Sequence, residues 1–103
     1  MITKVTHVSV LVNDQDEALK FYVDTLGLEK RSDDPMPGSE NQRWLTVGPK
    51  DQPDVEIILQ ATDWGVEPIT TEERAALVGK APGLLFQTND IKADVEALKA
   101  KGV

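Results

Sequence analysis

Alternating apolar and polar positions mark residues 5–12 as a strand. Val8, Val10 and Val12 share one face of this strand, and we expect that face to pack against helices. The opposite face carries His7, the one histidine of the chain, and we expect it to border a cleft.

A helix is predicted directly after this strand. Asp14 is its expected N-cap, because the carboxylate can accept hydrogen bonds from the exposed N–H groups of the first turn. Apolar residues then recur near helical spacing. Gly27 is expected to end the helix in the left-handed conformation that glycine adopts at little cost.

Three further strands are predicted, over residues 28–32, 43–47 and 55–60. Residues 33–39 are rich in turn-forming residues and are predicted as a loop. In the last strand, Glu56 and Gln60 lie on the face opposite Ile57. The predicted order is β-α-β-β-β.

The strand–helix unit occurs a second time near the C-terminus. Residues 84–90 repeat the pattern of residues 8–14, and both stretches end in Asn-Asp. Gly102 stands where Gly27 stands in the first copy. Such a repeat predicts two related modules that bury their apolar faces against each other.

The chain has 103 residues, which is enough for one hydrophobic core. We predict a single domain in three parts. Residues 1–62 form the first module, residues 63–82 form a connector that contains a short helix at 71–78, and residues 83–103 begin the second module. The second module lacks about three strands of some 5–6 residues each. We expect the chain to be a fragment; strands supplied by a partner chain and a reduced module are the alternatives.

The net charge of −7, with no Lys/Arg cluster, argues against partners that are nucleic acids or anionic membranes. The absence of cysteine excludes disulfides, thiolate metal sites and cysteine nucleophiles. No apolar run approaches the roughly 20 residues that span a bilayer, and the N-terminus lacks a signal-peptide pattern. A cytoplasmic protein is expected.

Three residues are candidate metal ligands. His7 is one, because neutral imidazole binds divalent metals; a half-buried strand histidine bonded to a neighbour is the alternative. Glu56 and Gln60 can point into the same cleft, and a carboxylate beside an imidazole suits a metal that keeps positions open for substrate. An edge strand or a solvent-facing strand surface, where polar residues at alternate positions are expected, is the alternative for these two residues.

Three other residues are candidates for binding a small molecule. Trp44 and Trp64 suit the wall of a pocket, although core packing is the commoner role for tryptophan. Arg43 could clamp a substrate carboxylate through two hydrogen bonds, or simply be solvated.

The sequence resembles the vicinal oxygen chelate superfamily, which includes glyoxalase I, bleomycin-resistance proteins and extradiol dioxygenases. The matching segments are residues 4–14 (KVTHVSVLVND), 18–28 (ALKFYVDTLGL), 43–48 (RWLTVG), 55–60 (VEIILQ) and 82–86 (PGLLF) with Asn89-Asp90. The resemblance implies an α+β fold of paired β-α-β-β-β modules, curled into a sheet around a cleft, with the second module incomplete in this chain. It also implies sharing of modules between chains, hence a homodimer.

In metal-dependent members of that superfamily, ligands lie on the first and fourth strands of each module. The resemblance therefore assigns His7 as one ligand and Glu56 or Gln60 as another, holding Fe, Mn, Ni or Zn. The matching position in the second module is Gly83, whose side chain has no donor atom. The functions implied are a metal-dependent lyase or dioxygenase acting on vicinal oxygens, or a non-catalytic binder of an antibiotic such as bleomycin.

Overall fold

The structure is a computed structural model that describes residues 1–37, 42–64, 68–80 and 83–103. Its elements are β1 (His7–Val12), α1 (Gln15–Lys20), β2 (Glu29–Pro35), β3 (Arg43–Gly48), β4 (Glu56–Ala61), α2 (Thr71–Leu77) and α3 (Ile91–Ala100). A π-helical turn, Phe21–Thr25, continues α1 toward Gly27. The predicted β-α-β-β-β order is confirmed.

The four strands form a curled, open sheet in the order β1-β4-β3-β2. β1 runs parallel to β4, whereas the β3–β4 and β2–β3 pairs are antiparallel. The parallel register places His7 beside Glu56 and Leu11 beside Gln60. Residues some fifty positions apart in the sequence thus become direct neighbours on the sheet.

The hydrophobic core lies between one face of the sheet and α1. Its buried residues are Val12, Leu45, Val47, Ile57 and Leu59, with Val10, Ala18, Leu19, Tyr22, Val23, Leu28 and Leu84 packed against them. Each fully buried aliphatic side chain contributes about 1.5–3 kcal/mol to stability. The predicted valine face is confirmed for Val10 and Val12, but Val8 is 37% exposed at the open end of β1.

Side-chain caps fix the start of each helix. Asp14 accepts from the N–H groups of Asp16 and Glu17, which confirms the predicted cap of α1. Thr70 accepts from Glu73 at α2, and Asp90 accepts from Ala93 at α3. At the other ends, Gly27 has a φ angle of 82°, which confirms the predicted left-handed glycine, and Gly102, at the matching position after α3, has a φ angle of 90°.

The predicted loop at residues 33–39 is wrong in its first part. β2 continues through Asp33 and Asp34 to Pro35, which pair with β3. Proline is tolerated there because β2 is an edge strand, and the N–H that proline lacks has no neighbouring strand to bond. Residues 38–39 of the predicted loop lie outside the described residues.

The predicted strand of the second copy is also wrong. Residues 83–88 contain no strand in the described structure, because no described strand lies alongside to pair with them. Leu84 packs against the core, whereas Leu85 is 99% exposed. The last two residues of the predicted connector, 81 and 82, lie outside the described residues. The helix predicted after this segment is confirmed as α3.

The described helices show no transmembrane character. A bilayer-spanning helix, which needs both length and a nearly continuous apolar sequence, is not found in the described part of the chain.

Candidate ligand-binding site

Polar and aromatic side chains gather on the sheet face opposite the core. Side chains alternate along a strand, so the neighbours of buried core residues on β1, β3 and β4 project to this other face. Contacts among them, described below, show that they meet. The residues of this polar face are His7, Ser9, Trp44, Thr46, Glu56 and Gln60.

His7 and Glu56 lie side by side at the centre of the polar face. His7 Nε2 lies 3.7 Å from Glu56 Oε2, and 34% of the His7 side chain and 25% of the Glu56 side chain are exposed. Thr46, which is fully buried, donates a hydrogen bond from Oγ1 to Glu56 Oε1 over 2.5 Å. The carboxylate is therefore held through one oxygen, and its other oxygen is directed toward the imidazole.

Gln60 lies on the same face but is engaged at both ends of its amide. Its Oε1 accepts from Ser9 Oγ over 2.5 Å, and its Nε2 donates to the carbonyl of Trp64 over 2.6 Å. Gln60 thus ties the segment after β4 to the sheet. This leaves Glu56 as the fourth-strand residue with an oxygen directed at His7.

Three aromatic rings form a row across the polar face. The ring centroids of His7 and Trp44 are 5.6 Å apart, with the planes tilted by 58°. The centroids of Trp44 and Trp64 are 6.0 Å apart in an edge-to-face arrangement of 84°. These separations are those of favourable aromatic pairs. Both tryptophans of the chain belong to this row.

Arg43 is not brought together with the other candidates. Its Nη1 donates to Asp16 over 2.6 Å and its Nε donates to Asp33 over 2.9 Å, on the side of the sheet that carries α1. The hydrogen bond with Asp16 is the largest cause of a raised pKa for the Arg43 guanidinium, to which Asp33 also contributes. The geometry therefore gives Arg43 a role in joining α1, β2 and β3.

The donor set of the polar face falls short of a metal site by itself. His7 and Glu56 supply two suitable donor atoms, whereas protein sites for Zn or Fe use three or four. Among the described residues, no group of three His, Cys, Asp or Glu side chains is arranged to hold a metal. The predicted ligation by His7 and Glu56 therefore rests on their proximity alone.

Sequence reasoning missed three residues that shape the polar face. Thr46 and Ser9 share their strand faces with Trp44 and His7, so the period-two pattern of β3 and β1 could have identified both. Gln15 is buried beneath the sheet and bonds to β3 and β4. Its position in the first turn of α1 did not predict hydrogen bonds to either strand.

A concave groove lies away from the polar face, beside α3. A groove of about 410 Å³ runs between α3 and the end of the π-helical turn, and it is lined mainly by apolar side chains such as Phe86, Ile91 and Leu98. Its charged groups already have partners: Asp94 bonds Thr88, and Lys101 donates to backbone carbonyls at the end of the turn. The two charged side chains of the groove are therefore engaged within the protein.

Comparison with known proteins identifies the family. A profile of the Glyoxalase/Bleomycin resistance protein/Dioxygenase superfamily matches residues 4–103. The chain belongs to this superfamily. Superfamily membership accounts for the curled sheet, for the β-α-β-β-β order and for the sequence resemblance described above.

Relatives of this superfamily member include both sequences and solved structures. YurT of Bacillus subtilis (strain 168) is 35% identical over 102 residues, covering 97% of this chain and 76% of YurT. The crystal structure of TnmS3, an antibiotic binding protein from Streptomyces sp. CB03234, is 34% identical with a TM-score of 0.75, covering 98% of this chain and 72% of TnmS3. A superfamily member from Sphaerobacter thermophilus DSM 20745 is 30% identical with a TM-score of 0.71, covering 98% of this chain and 73% of that one.

Proposed function

We propose that this protein binds a small molecule with a flat aromatic part on its polar face, without transforming it chemically. The observation that carries the proposal is the row of His7, Trp44 and Trp64 rings beside the Glu56 carboxylate. Aromatic walls with a few placed polar groups are typical of small-molecule sites. The carboxylate and the net charge of −7 favour a ligand that carries a positive charge.

Two further findings support binding without chemistry. TnmS3, a structural neighbour at 34% identity, is an antibiotic binding protein. Gly83 stands where the resemblance places a ligand of the second module, and glycine offers no side-chain donor. An antibiotic of the bleomycin kind, which joins flat heteroaromatic rings to a cationic tail, has the chemistry that the polar face would accept.

Tryptophan fluorescence tests this proposal, since both tryptophans lie in the ring row. We expect bleomycin or another cationic aromatic antibiotic to quench the emission in a saturable way. Replacing Trp44 by Leu should raise the Kd by about fivefold or more, because ring stacking is lost. Phe21→Leu, an exposed aromatic outside the polar face, is the matched control and should leave the Kd unchanged. Absence of saturable quenching across a panel of such antibiotics would contradict the proposal.

The second candidate function is a metal-dependent lyase or dioxygenase, favoured by the 3.7 Å separation of His7 Nε2 and Glu56 Oε2. These two residues would supply two of the ligands of a divalent metal (Fe, Mn, Ni or Zn), and the metal would supply Lewis-acid chemistry to vicinal oxygens of a substrate. Calorimetric titration of the purified protein with each metal tests this. Tight binding that His7→Ala abolishes would support the enzyme, and no binding of any metal would count against it.

We also propose that the protein forms a homodimer in the cytoplasm. Each chain would be one domain that consists of a first module (residues 1–62), a connector (63–82) and the start of a second module (83–103). β1 is at the edge of the sheet; Val5, just before it, is 65% exposed and Val8, within it, is 37% exposed. Such an edge is suited to pairing with another chain. Sedimentation analysis should show a dimer that Val8→Lys weakens; a monomer at all concentrations would refute it.

A further inference from the structure

β3 and β4 are joined by backbone pairing over a short length. Their register pairs Thr46 with Ile58 and Val47 with Ile57, and in the described structure the pairing does not extend further toward Arg43. If that register is continued along the two strands, Trp44 stands opposite Gln60. The separation of the strands at this point thus bears directly on the polar face.

The side chain of Gln15 bonds to both strands beyond this pairing. Its Nε2 donates to the carbonyl of Arg43 on β3 and to the carbonyl of Leu59 on β4, each over 2.9 Å. Its Oε1 accepts from the N–H of Arg43 over 3.3 Å. Gln15 is only 8% exposed, although it belongs to the first turn of a helix.

These contacts reproduce the bonding of a neighbouring strand. In an antiparallel sheet, a hydrogen-bonded pair of residues exchanges an N–H and a C=O in each direction. The side-chain amide of Gln15 donates to the carbonyl of Arg43 and accepts from its N–H, as a residue on a neighbouring strand would. Its Nε2 also donates to the carbonyl of Leu59 on β4. The side chain of Gln15 therefore bridges β3 and β4.

The residues next to these contacts project onto the polar face. Trp44 follows Arg43 on β3, and Gln60 follows Leu59 on β4. Gln60 in turn holds the carbonyl of Trp64. Gln15 thus bonds to the residue before Trp44, and it is linked to Trp64 through Leu59 and the side chain of Gln60.

We propose that Gln15 is a positioning residue for the polar face: by spacing β3 from β4, it sets the separation of Trp44 and Trp64 and so the width available to a flat ligand. The ligand-binding part of this inference rests on the proposed function. The positioning part can be measured in the ligand-free protein.

The bonding explains why glutamine is needed. Two carbonyls and one N–H converge on this buried point, so the side chain must offer two donors and one acceptor. A carboxylate would face both carbonyls with oxygen atoms and repel them. A thioether such as methionine has similar length but leaves all three backbone groups unpaired, which costs free energy in a buried place.

The test compares Gln15→Glu and Gln15→Met with Asp14→Ala. Asp14→Ala removes the cap of the same helix but leaves the contacts of Gln15 with the strands, so it controls for loss of stability alone. The readout is the exciton-coupled circular dichroism of the Trp44–Trp64 pair, which depends on ring separation and angle. We expect the signal of each folded Gln15 variant to fall by about half or more, and that of Asp14→Ala to stay unchanged.

Affinity for bleomycin, taken as the probe, provides the second readout. We expect the Kd to rise about fivefold or more in the Gln15 variants and to stay unchanged in Asp14→Ala. An unchanged dichroism signal in a folded Gln15 variant would overturn the inference, whether or not bleomycin binds. A reduced signal in a protein that binds no aromatic antibiotic would support the positioning role and refute the proposed function. If Gln15→Glu does not fold, the uncharged Gln15→Met decides.

Discussion

The shape of the polar face depends on a fully buried threonine beneath a half-buried carboxylate. Thr46 Oγ1 donates to Glu56 Oε1, and the other Glu56 oxygen is thereby directed at His7. Hydrogen bonds to a charged group contribute about 1.5–3 kcal/mol, which is more than neutral ones do. The orientation of the carboxylate is therefore set from below the surface that a ligand would touch.

Thr46→Val should destabilise the protein by about 1.5–3 kcal/mol, because it removes the donor and leaves Glu56 Oε1 without this buried partner. Urea unfolding followed by circular dichroism measures the change. Thr46→Ser keeps the hydroxyl group and should cost less than Thr46→Val. A small loss for Thr46→Val together with a larger loss for Thr46→Ser would show that the methyl group, and not the hydrogen bond, is what matters.

Tyr22 should make the stability of the protein depend on alkaline pH. Burial raises the pKa of the Tyr22 hydroxyl, because the ionised form is poorly solvated in the core. The raised pKa in the folded state means that its stabilising contribution is complete below the unfolded pKa of about 10 and is lost as pH rises through the folded value.

The measurement is direct because Tyr22 is the one tyrosine of the chain. We expect tyrosinate absorbance to appear at higher pH in the folded protein than in urea. We also expect Tyr22→Phe to show a smaller loss of unfolding free energy above pH 10. Coincident titrations of the folded and unfolded protein would contradict this.

At the scale of single elements, α1 depends on its two ends. Asp14 caps the first turn, and Gly27 closes the π-helical turn with a φ angle of 82°. Both could be predicted, since a capping residue and a glycine at these positions are local signals. The short helix before residue 79 was predictable for the same reason, because Thr70 caps it.

Gly27→Ala should cost about 1–2 kcal/mol, because an alanine in the left-handed conformation brings its Cβ too close to the following carbonyl. Thermal unfolding of the variant measures the loss. Gly83→Ala is the control: no atom lies within 4 Å of an added Cβ there, and no positive φ is recorded for it. Similar losses at both glycines would show that the left-handed conformation is not the cause.

Two elements escaped prediction because their state depends on neighbours. Asp33, Asp34 and Pro35 have turn-forming character, yet they extend β2 because it lies at the edge and pairs with β3. Residues 84–88 have strand-like character, yet they form no strand in the described structure, where no strand lies beside them. Pairing between distant segments overrides local propensity in both cases.

At the scale of the whole molecule, the parallel pairing of β1 with β4 creates the polar face. The alternation within each strand predicted which side chains share a face, but not which strands lie side by side. His7, Glu56 and Trp44 could therefore be chosen as candidates from the sequence, whereas the 3.7 Å and 5.6 Å separations among them follow from the topology. Gln15 and Arg43 show the converse, since their roles depend on how α1 docks against the sheet.

The most direct test of the polar face as a ligand site is a nuclear magnetic resonance titration that follows the two indole N–H signals. Trp44 and Trp64 give one such signal each, and their assignment needs only a Trp44→Phe variant. On addition of bleomycin or another cationic aromatic antibiotic that binds, we expect both signals to shift together with the backbone signals of His7 and Glu56. If both indole signals stay in place while residues of the groove beside α3, such as Phe86 and Ile91, shift instead, the ligand site is not the polar face.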